Sequence, residues 1–210
     1  GCTGLTDVNY NAVNCTSMGS SSSSVFNGCS NLKTLNIGNE VKTIPSYAFY
    51  KCTGLTSVTI PNSVTSIGSS AFYKCSKLKL VINLSKLTFS KGSSSNGYVA
   101  CYADRVINAP NGSIVGDFVF SKTDGVNRLV AYLGNATKLI LPTDLNGENY
   151  VIESDVFNGY SNLTSVTIPN SVTSIGSSTF SNCSGLTMVT IGNSVTSIGD
   201  KAFSACSNLI

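Results

Sequence analysis

Apolar residues recur along this chain in a pattern that repeats every 23 residues, with Cys52 and Cys75 marking the start of successive copies. Each copy opens with a motif of the form LxxVxI. In the copy that follows Cys52, Val58 and the isoleucine two residues later alternate with Ser57 and Thr59. Such alternation is typical of a strand that is buried on one face. The first half of every repeat therefore predicts a short strand.

The second half of each repeat predicts a corner and then a tight turn. Pro61 ends the strand, since proline has no N–H for a ladder. Gly68 follows, but Pro45 stands at the same position one repeat earlier, and proline requires a negative φ. We therefore expect the glycine to serve close packing rather than a left-handed backbone. Ala71 and Phe72 fit a short helical or 3₁₀ turn, and the phenylalanines of successive repeats are expected to stack.

Self-similarity at a fixed period of this size predicts a solenoid of stacked coils. The motif NSVTSIG recurs unchanged at residues 62–68, 170–176 and 193–199. We expect one mainly β repeat solenoid over residues 1–210. Its coils are expected to start near residues 2, 29, 52, 75, 137, 160, 183 and 206.

The repeat is interrupted between residues 90 and 136. Residues 90–97 are a Gly- and Ser-rich loop, and the apolar segment 99–107 is expected to close the coil. Two strand-like segments then flank Asp124-Gly125, a dipeptide that favours a hairpin turn. We predict an inserted β-hairpin at about 114–133 that projects from the solenoid or braces it.

Eight cysteines raise the question of disulfides or metal binding. Most of them occupy one repeat position, and stacked side chains at strand spacing stand about 4.8 Å apart, beyond the usual Cβ separation of a disulfide. At the equivalent position another repeat has Tyr160. We therefore predict a ladder of buried free thiols that pack as small apolar groups. Cys15 and Cys101 lie off this ladder and are the expected exceptions.

Composition narrows the possible partners. Charged residues make up 11% of the chain, the net charge is +3, and no basic run is present, so nucleic-acid binding is not expected. The sequence contains no stretch of 18 apolar residues, so no membrane span is expected. We expect a monomer. The chain begins and stops inside a repeat, so we expect it to be a fragment of a longer protein.

The sequence offers no catalytic, metal or cofactor site. The absence of histidine removes Ser-His and Cys-His nucleophile pairs. The glutamates are isolated, and the aspartates lack a calcium-loop spacing. No Gly-rich phosphate loop follows a strand. We therefore expect no enzymatic activity and no cofactor.

The pattern CxxLxxVxIPxSVTSIGxxAFxx resembles the BspA-like leucine-rich repeat family of bacterial and protist surface proteins. The resemblance is clear at residues 29–89 and 137–210 and loose at 2–28. It implies a leucine-rich-repeat solenoid with a parallel sheet on its concave face and short helical or 3₁₀ turns on its convex side. It also implies an extracellular or cell-surface location and adhesion to proteins or cells. No binding residue follows from the family motif.

Candidate partner-binding residues come from two regions. The interruption concentrates unrepeated residues that stacking does not dictate, and the strands expose a polar face. That face is either a solvated sheet surface, a protein or glycan binding surface, or a water-ordering threonine array. The candidates are Tyr98, Tyr102, Arg105, Phe118, Arg128, Tyr132, Ser57, Thr59, Thr167 and Thr190. For the hairpin, the alternative is that it covers a solenoid edge or stiffens a joint.

Three functions remain open. The leading hypothesis is a non-catalytic surface or secreted module that adheres to a protein or a cell-surface glycan. The alternative is a structural spacer that displays another domain. An enzyme is the remote alternative, since it would need paired titratable residues in a deep pocket.

Overall fold

The structure, a computed structural model, describes residues 2–209. The chain divides into two compact units, Gly1–Asn111 (unit 1) and Gly112–Ile210 (unit 2). Each unit consists of coils whose short strands pair in parallel with the corresponding strands of the next coil. This confirms the mainly β repeat solenoid that the sequence predicts. That both units belong to one continuous solenoid stays a prediction.

The described residues of unit 1, from Cys2 on, form seven short strands. They are β1 (Asp7–Tyr10), β2 (Thr34–Ile37), β3 (Thr43–Ile44), β4 (Ser57–Ile60), β5 (Ser66–Ile67), β6 (Leu80–Asn83) and β7 (Arg105–Asn108). The strands of the LxxVxI motifs form the pair β1-β2 and the three-stranded sheet β4-β6-β7. Strands β3 and β5 form a second parallel pair after the corner, where the sequence predicts no strand.

The core of unit 1 follows the repeat. Leu55, Val58 and Ile60 are buried, and so are the residues at the same positions of the neighbouring coils. Strand β7 pairs in register with β6. The apolar segment 99–107 therefore does more than close a coil, since its second half begins another strand of the sheet.

The turns at the Ala-Phe positions differ from the sequence expectation. Ala48 and Ala71 lie inside hydrogen-bonded turns rather than helices. Among residues 2–209 the structure has a single short helix, the 3₁₀ segment Asn96–Tyr98. Each turn is held instead by bonds to its neighbour, since Phe49 N–H donates to the Ala71 carbonyl and Phe72 N–H to the Gly97 carbonyl. Stacking thus satisfies backbone groups that a helix would satisfy internally.

Unit 2 contains nine strands. They are β8 (Ser113–Val115), β9 (Phe118–Thr123), β10 (Val126–Tyr132), β11 (Lys138–Ile140), β12 (Tyr150–Ile152), β13 (Ser165–Ile168), β14 (Val172–Ile175), β15 (Met188–Ile191) and β16 (Ser197–Ile198). Strands β11, β13 and β15 form one parallel sheet. The others form a six-stranded sheet in the order β16-β14-β12-β10-β9-β8.

The predicted hairpin is confirmed as β9 and β10. Asp124 and Gly125 form its turn with φ of 51° and 76°, as a two-residue hairpin turn with positive φ requires. A turn at residues 116–117 divides the first predicted strand in two, so that β8 pairs antiparallel with β9 as a third strand. Strand β10 also pairs in parallel with β12 of the first full coil. The hairpin therefore braces unit 2 by extending its sheet.

Stacked phenylalanines run through both cores, as the repeat predicts. In unit 1 the ring centroids of Phe26 and Phe49 are 5.7 Å apart, and those of Phe49 and Phe72 are 5.4 Å apart. In unit 2 Phe180 stacks between its two counterparts at 5.0 and 5.3 Å, with almost parallel rings. These stacks fix the register of the coils.

All eight cysteines carry free thiols, so the expectation that Cys15 and Cys101 are exceptions is wrong. On the ladder Cys29, Cys52, Cys75 and Cys183 are fully buried, whereas Cys206 is half-buried and Cys2 is exposed. Four of the ladder thiols donate to a backbone carbonyl of the preceding coil, which the repeat pattern does not predict. The thiol of Cys52 donates to the Phe26 carbonyl at 3.3 Å, and that of Cys183 to the Phe157 carbonyl at 3.1 Å. Tyr160, at the same position, donates its hydroxyl to the Tyr132 carbonyl. This position can therefore supply a side-chain hydrogen-bond donor, which need not be a thiol.

Candidate partner-binding surface

The candidates on the strand faces lie in different units. Ser57 is exposed and Thr59 half-buried, and both lie on β4 of unit 1. Thr167 and Thr190 are exposed in register on β13 and β15 of unit 2. Met188 and Ile140 interrupt the polar face around the two threonines, with exposures of 63% and 71%. In unit 2 the polar face is therefore broken by apolar side chains.

The hairpin candidates serve mainly to hold unit 2 together. Tyr132 is only 4% exposed, so its ring is not accessible to a partner. It packs against Phe118 and Phe157, with centroids 5.0 and 5.7 Å away. Arg128 is half-buried, and its Nη1 lies 2.7 Å from Oε1 of Glu153. The choice of Tyr132 as a partner-binding residue is wrong, because an unrepeated aromatic residue can fill a core as well as contact a partner.

The remaining candidates, Tyr98, Tyr102 and Arg105, lie in unit 1. The two tyrosines belong to a cluster of five half-buried tyrosines on the turns of successive coils, which we call the tyrosine row. Its members are Tyr47, Tyr50, Tyr73, Tyr98 and Tyr102. Arg105 is exposed at the start of β7, outside this row.

The row is held by ring contacts between coils. The rings of Tyr50 and Tyr73 stack at 5.4 Å with an angle of 22°. Tyr47 meets Tyr50 edge-on at 5.7 Å, and Tyr98 meets Tyr73 edge-on at 5.0 Å. Burial raises the pKa of Tyr102, and Cys101 and Tyr73 raise it further through their nearby charges. Ring contacts thus join Tyr47, Tyr50, Tyr73 and Tyr98 into a continuous aromatic surface, and Tyr102 lies near Tyr73.

The hydroxyl groups set these five tyrosines apart from the other four of the chain. Tyr10, Tyr150 and Tyr160 donate to backbone carbonyls, and the Tyr132 hydroxyl accepts from the Ala136 N–H. Within residues 2–209, the hydroxyls of the row have no hydrogen-bond partner in the protein. The row therefore combines apolar ring area with five donors that a partner can use.

Two lysines border the row. The Nζ of Lys51 lies 5.2 Å from the ring centroid of Tyr50, and that of Lys74 lies 5.6 Å from the centroid of Tyr73. Both are exposed, and neither has a carboxylate within ion-pair distance in the described part of the chain. Cation–π contacts of this kind hold the ammonium groups beside the rings.

The row lies in the more basic unit. Unit 1 has nine lysines and arginines against three acidic residues, a net charge of +6, whereas unit 2 has four against seven, a net charge of −3. Residues 51–103 alone contain six lysines and no acidic residue. The low overall charge of the chain therefore conceals a strong asymmetry between its units.

Two members of this surface are repeated residues, so a criterion based on unrepeated residues does not select them. Tyr50 and Tyr73 occur inside the repeat, directly after the stacked phenylalanine, and so look like packing residues. In unit 2 the same position holds Asn158, Ser181 and Ser204. A comparison of one repeat with another would have shown that stacking does not require tyrosine there.

Unit 1 also has a shallow cleft of about 520 Å³ beside its corners. Its lining is mixed in charge and includes Asn39, Glu40, Lys42, Asn62 and Lys86. No aromatic ring lines it. Within residues 2–209, no group of three or more cysteine and acidic side chains is arranged to hold a metal ion. No helix in the same range is long and apolar enough to cross a membrane.

The fold defines a parallel-β repeat solenoid. The BspA-type leucine-rich repeat region matches residues 1–97 and 131–210 in six copies, and the chain belongs to this family. No curated protein matches the sequence.

Solved structures of bacterial leucine-rich repeat proteins are similar to the chain over different lengths. A protein from Bacteroides capillosus is 33% identical over 47% of this chain and 78% of its own, with a TM-score of 0.41. A leucine-rich cell surface protein from Faecalibacterium prausnitzii is 22% identical over 98% of this chain and 65% of its own, with a TM-score of 0.42. The pneumococcal vaccine antigen PcpA is 18% identical over 93% of this chain and 47% of its own, with a TM-score of 0.34.

Proposed function

We propose that this chain is a non-catalytic binding module of a surface or secreted protein, and that the tyrosine row contacts its protein partner. Family membership supports a protein-interaction or surface role. The observation that carries the choice of surface is the set of five tyrosines whose hydroxyls have no partner in the described part of the protein. Tyrosine is enriched at protein interfaces because a rigid ring provides contact area and a polar tip.

The strand faces support this role less well. Their exposed residues are mostly small and polar, which is typical of a solvated sheet. The threonines of unit 2 are in register, but exposed Met188 and Ile140 stand beside them. We therefore place the partner on the turns of unit 1.

The test is a binding screen against immobilised extracellular matrix proteins and bacterial cells. The variant Tyr50→Ala/Tyr73→Ala is compared with Asn158→Ala/Ser181→Ala, which alters the same coil positions in unit 2. We expect binding to at least one surface and a loss of about tenfold or more in affinity only for the tyrosine variant, as for interface hot spots. Circular dichroism checks that both variants are folded.

Either of two results would refute the proposal. If the chain binds none of these surfaces while a longer form of the protein does, the module acts as a spacer. If both double variants weaken binding equally, the partner does not contact the tyrosine row.

A further inference from the structure

The partner surface that best fits the tyrosine row is an acidic, extended protein segment. We infer that the row binds glutamate- or aspartate-rich peptide through its hydroxyls and through Lys51 and Lys74; this inference rests on the proposed function. The proposed function identifies only the surface that contacts the partner, and not the chemistry of that partner. Its charge, its ring geometry and its donors each narrow the chemistry of the partner.

The charge around the row is of one sign. Five of the seven contacts lie within residues 51–103, a stretch that has no acidic residue. They are Lys51, Lys74, Tyr73, Tyr98 and Tyr102, and only Tyr47 and Tyr50 lie outside it. Asp104 follows Tyr102 by two positions but lies 3.6 Å from the ammonium group of Lys79. An acidic partner would gain from this field, and a basic one would be repelled.

The ring geometry argues against a sugar as the partner. Saccharides stack their apolar C–H faces on the flat face of an aromatic ring. Here Tyr50 and Tyr73 face each other at 22°, and the ammonium groups of Lys51 and Lys74 lie over the same rings. At the centre of the row, Tyr50 and Tyr73 therefore offer ring edges and hydroxyls rather than two open faces.

The groups that remain available are hydrogen-bond donors. Phenol hydroxyls and ammonium groups both donate to carboxylates, and such charge-assisted bonds are stronger than neutral ones. The donors are spread over successive coils, with neighbouring rings 5.0 to 5.7 Å apart. An extended peptide can place successive carboxylates along such a row, whereas a single small anion can use only part of it.

The test uses the full chain labelled with 3-fluorotyrosine, followed by ¹⁹F NMR. The probes are a peptide of alternating glutamate and proline, a glutamine–proline peptide of equal length, and polygalacturonate as an acidic polysaccharide. We expect the glutamate peptide to shift the resonances of the row tyrosines. The resonances of Tyr10, Tyr132, Tyr150 and Tyr160 serve as internal controls and should stay in place.

Matched variants separate local contacts from overall charge. Lys51→Gln/Lys74→Gln should weaken binding of the glutamate peptide by roughly three- to tenfold, the range expected for exposed ion pairs. Lys33→Gln/Lys42→Gln removes the same charge from unit 1 but outside the row. This variant should weaken binding of the glutamate peptide by less than about twofold, because salt screens distant charges. Added salt should weaken binding of the glutamate peptide.

Three results would overturn the inference. The first is that the glutamate and glutamine peptides shift the tyrosine resonances equally. The second is that the two lysine variants lose the same amount of affinity for the glutamate peptide. The third is that polygalacturonate shifts the resonances of the row tyrosines whereas the glutamate peptide does not. In each of these cases a row-dependent partner found in the screen would still uphold the proposed function. Conversely, binding of acidic peptide at the row, without any row-dependent partner in the screen, would support the acidic-peptide chemistry of the row but refute the proposed function on which its biological role rests.

Discussion

At the scale of single residues, backbone strain does not lie where the glycines suggest. Gly68 has no left-handed φ, and a Cβ there would meet the backbone of Ser46 in the preceding coil. Positive φ occurs instead at Ser70 and Lys74, with values of 57° and 61°. The sequence correctly predicts that this glycine serves close packing, because Pro45 shares its position.

We predict that Gly68→Ala destabilises the protein more than Gly28→Ala does. The first change forces a methyl group into backbone that cannot yield, and overpacking of this kind costs about 3 kcal/mol. Gly28 has a φ of 69° but open space around it, so alanine there costs about 1 kcal/mol. Urea unfolding measures both free energies, and a larger loss for Gly28→Ala would contradict the packing explanation.

The ladder thiols also show how one side chain is adapted to stacking. Burial, and to a lesser extent the nearby Cys29, raise the pKa of Cys52 to about 12. Burial likewise raises the pKa of Cys183 to about 11. Since the thiolate is the reactive form, these cysteines are protected from alkylating reagents while their coils stay folded. They can therefore report on the folding of each unit.

At the scale of elements, the hairpin is a part of the sheet and not an appendage. Leu129 and Phe120 are fully buried, and Phe120 meets Tyr150 edge-on at 5.2 Å. Around this core, Lys122 Nζ lies 2.7 Å from Glu148. Deletion of residues 114–133 would remove core residues, so it cannot separate an adhesive role from a spacer role.

We predict that Leu129→Ala, in the middle of β10, lowers the free energy of unfolding by about 2–5 kcal/mol, the usual cost of emptying a leucine site. Val126→Ala changes the same strand at a side chain that is 37% exposed, and we expect about 0.5 kcal/mol or less. Thermal or urea unfolding distinguishes the two. Similar small effects for both would mean that the hairpin does not belong to the core of unit 2.

At the scale of the whole molecule, the chain has two hydrophobic cores, one in each unit. In repeat proteins, stability is close to a sum of local and nearest-neighbour terms, so distant coils can unfold separately. The charge asymmetry follows the same division, with +6 in unit 1 and −3 in unit 2. Each unit is therefore expected to have its own stability.

We predict that Leu186→Ala makes Cys183 reactive toward alkylation before Cys52 or Cys75. Leu186 is fully buried in unit 2, and its loss costs about 2–5 kcal/mol there. Leu55→Ala, at the same coil position of unit 1, should reverse the order of labelling. Pulsed alkylation in increasing urea, followed by mass spectrometry, gives the order. Simultaneous labelling of all three thiols in both variants would show that the chain unfolds as one cooperative body.

Much of the fold was determined by the sequence alone. The period, the inward residues, the phenylalanine stacks and the hairpin turn at Asp124-Gly125 all follow from local pattern, since each coil places equivalent residues against each other. That Tyr98 and Tyr102 contact a partner stays a prediction.

Only the tertiary structure decided which polar and aromatic residues lie at the surface. Tyr132 and Arg128 look as free as Tyr98 in the sequence, but β10 turns the first into the core and brings the second to Glu153. Tyr50 and Tyr73 look like packing residues, yet they are half-buried members of an aromatic row. The physical reason is that the repeat determines which residues pack against their equivalents in the next coil. Which hydroxyl groups remain without a hydrogen-bond partner in the protein depends on contacts between coils, which the repeat does not specify.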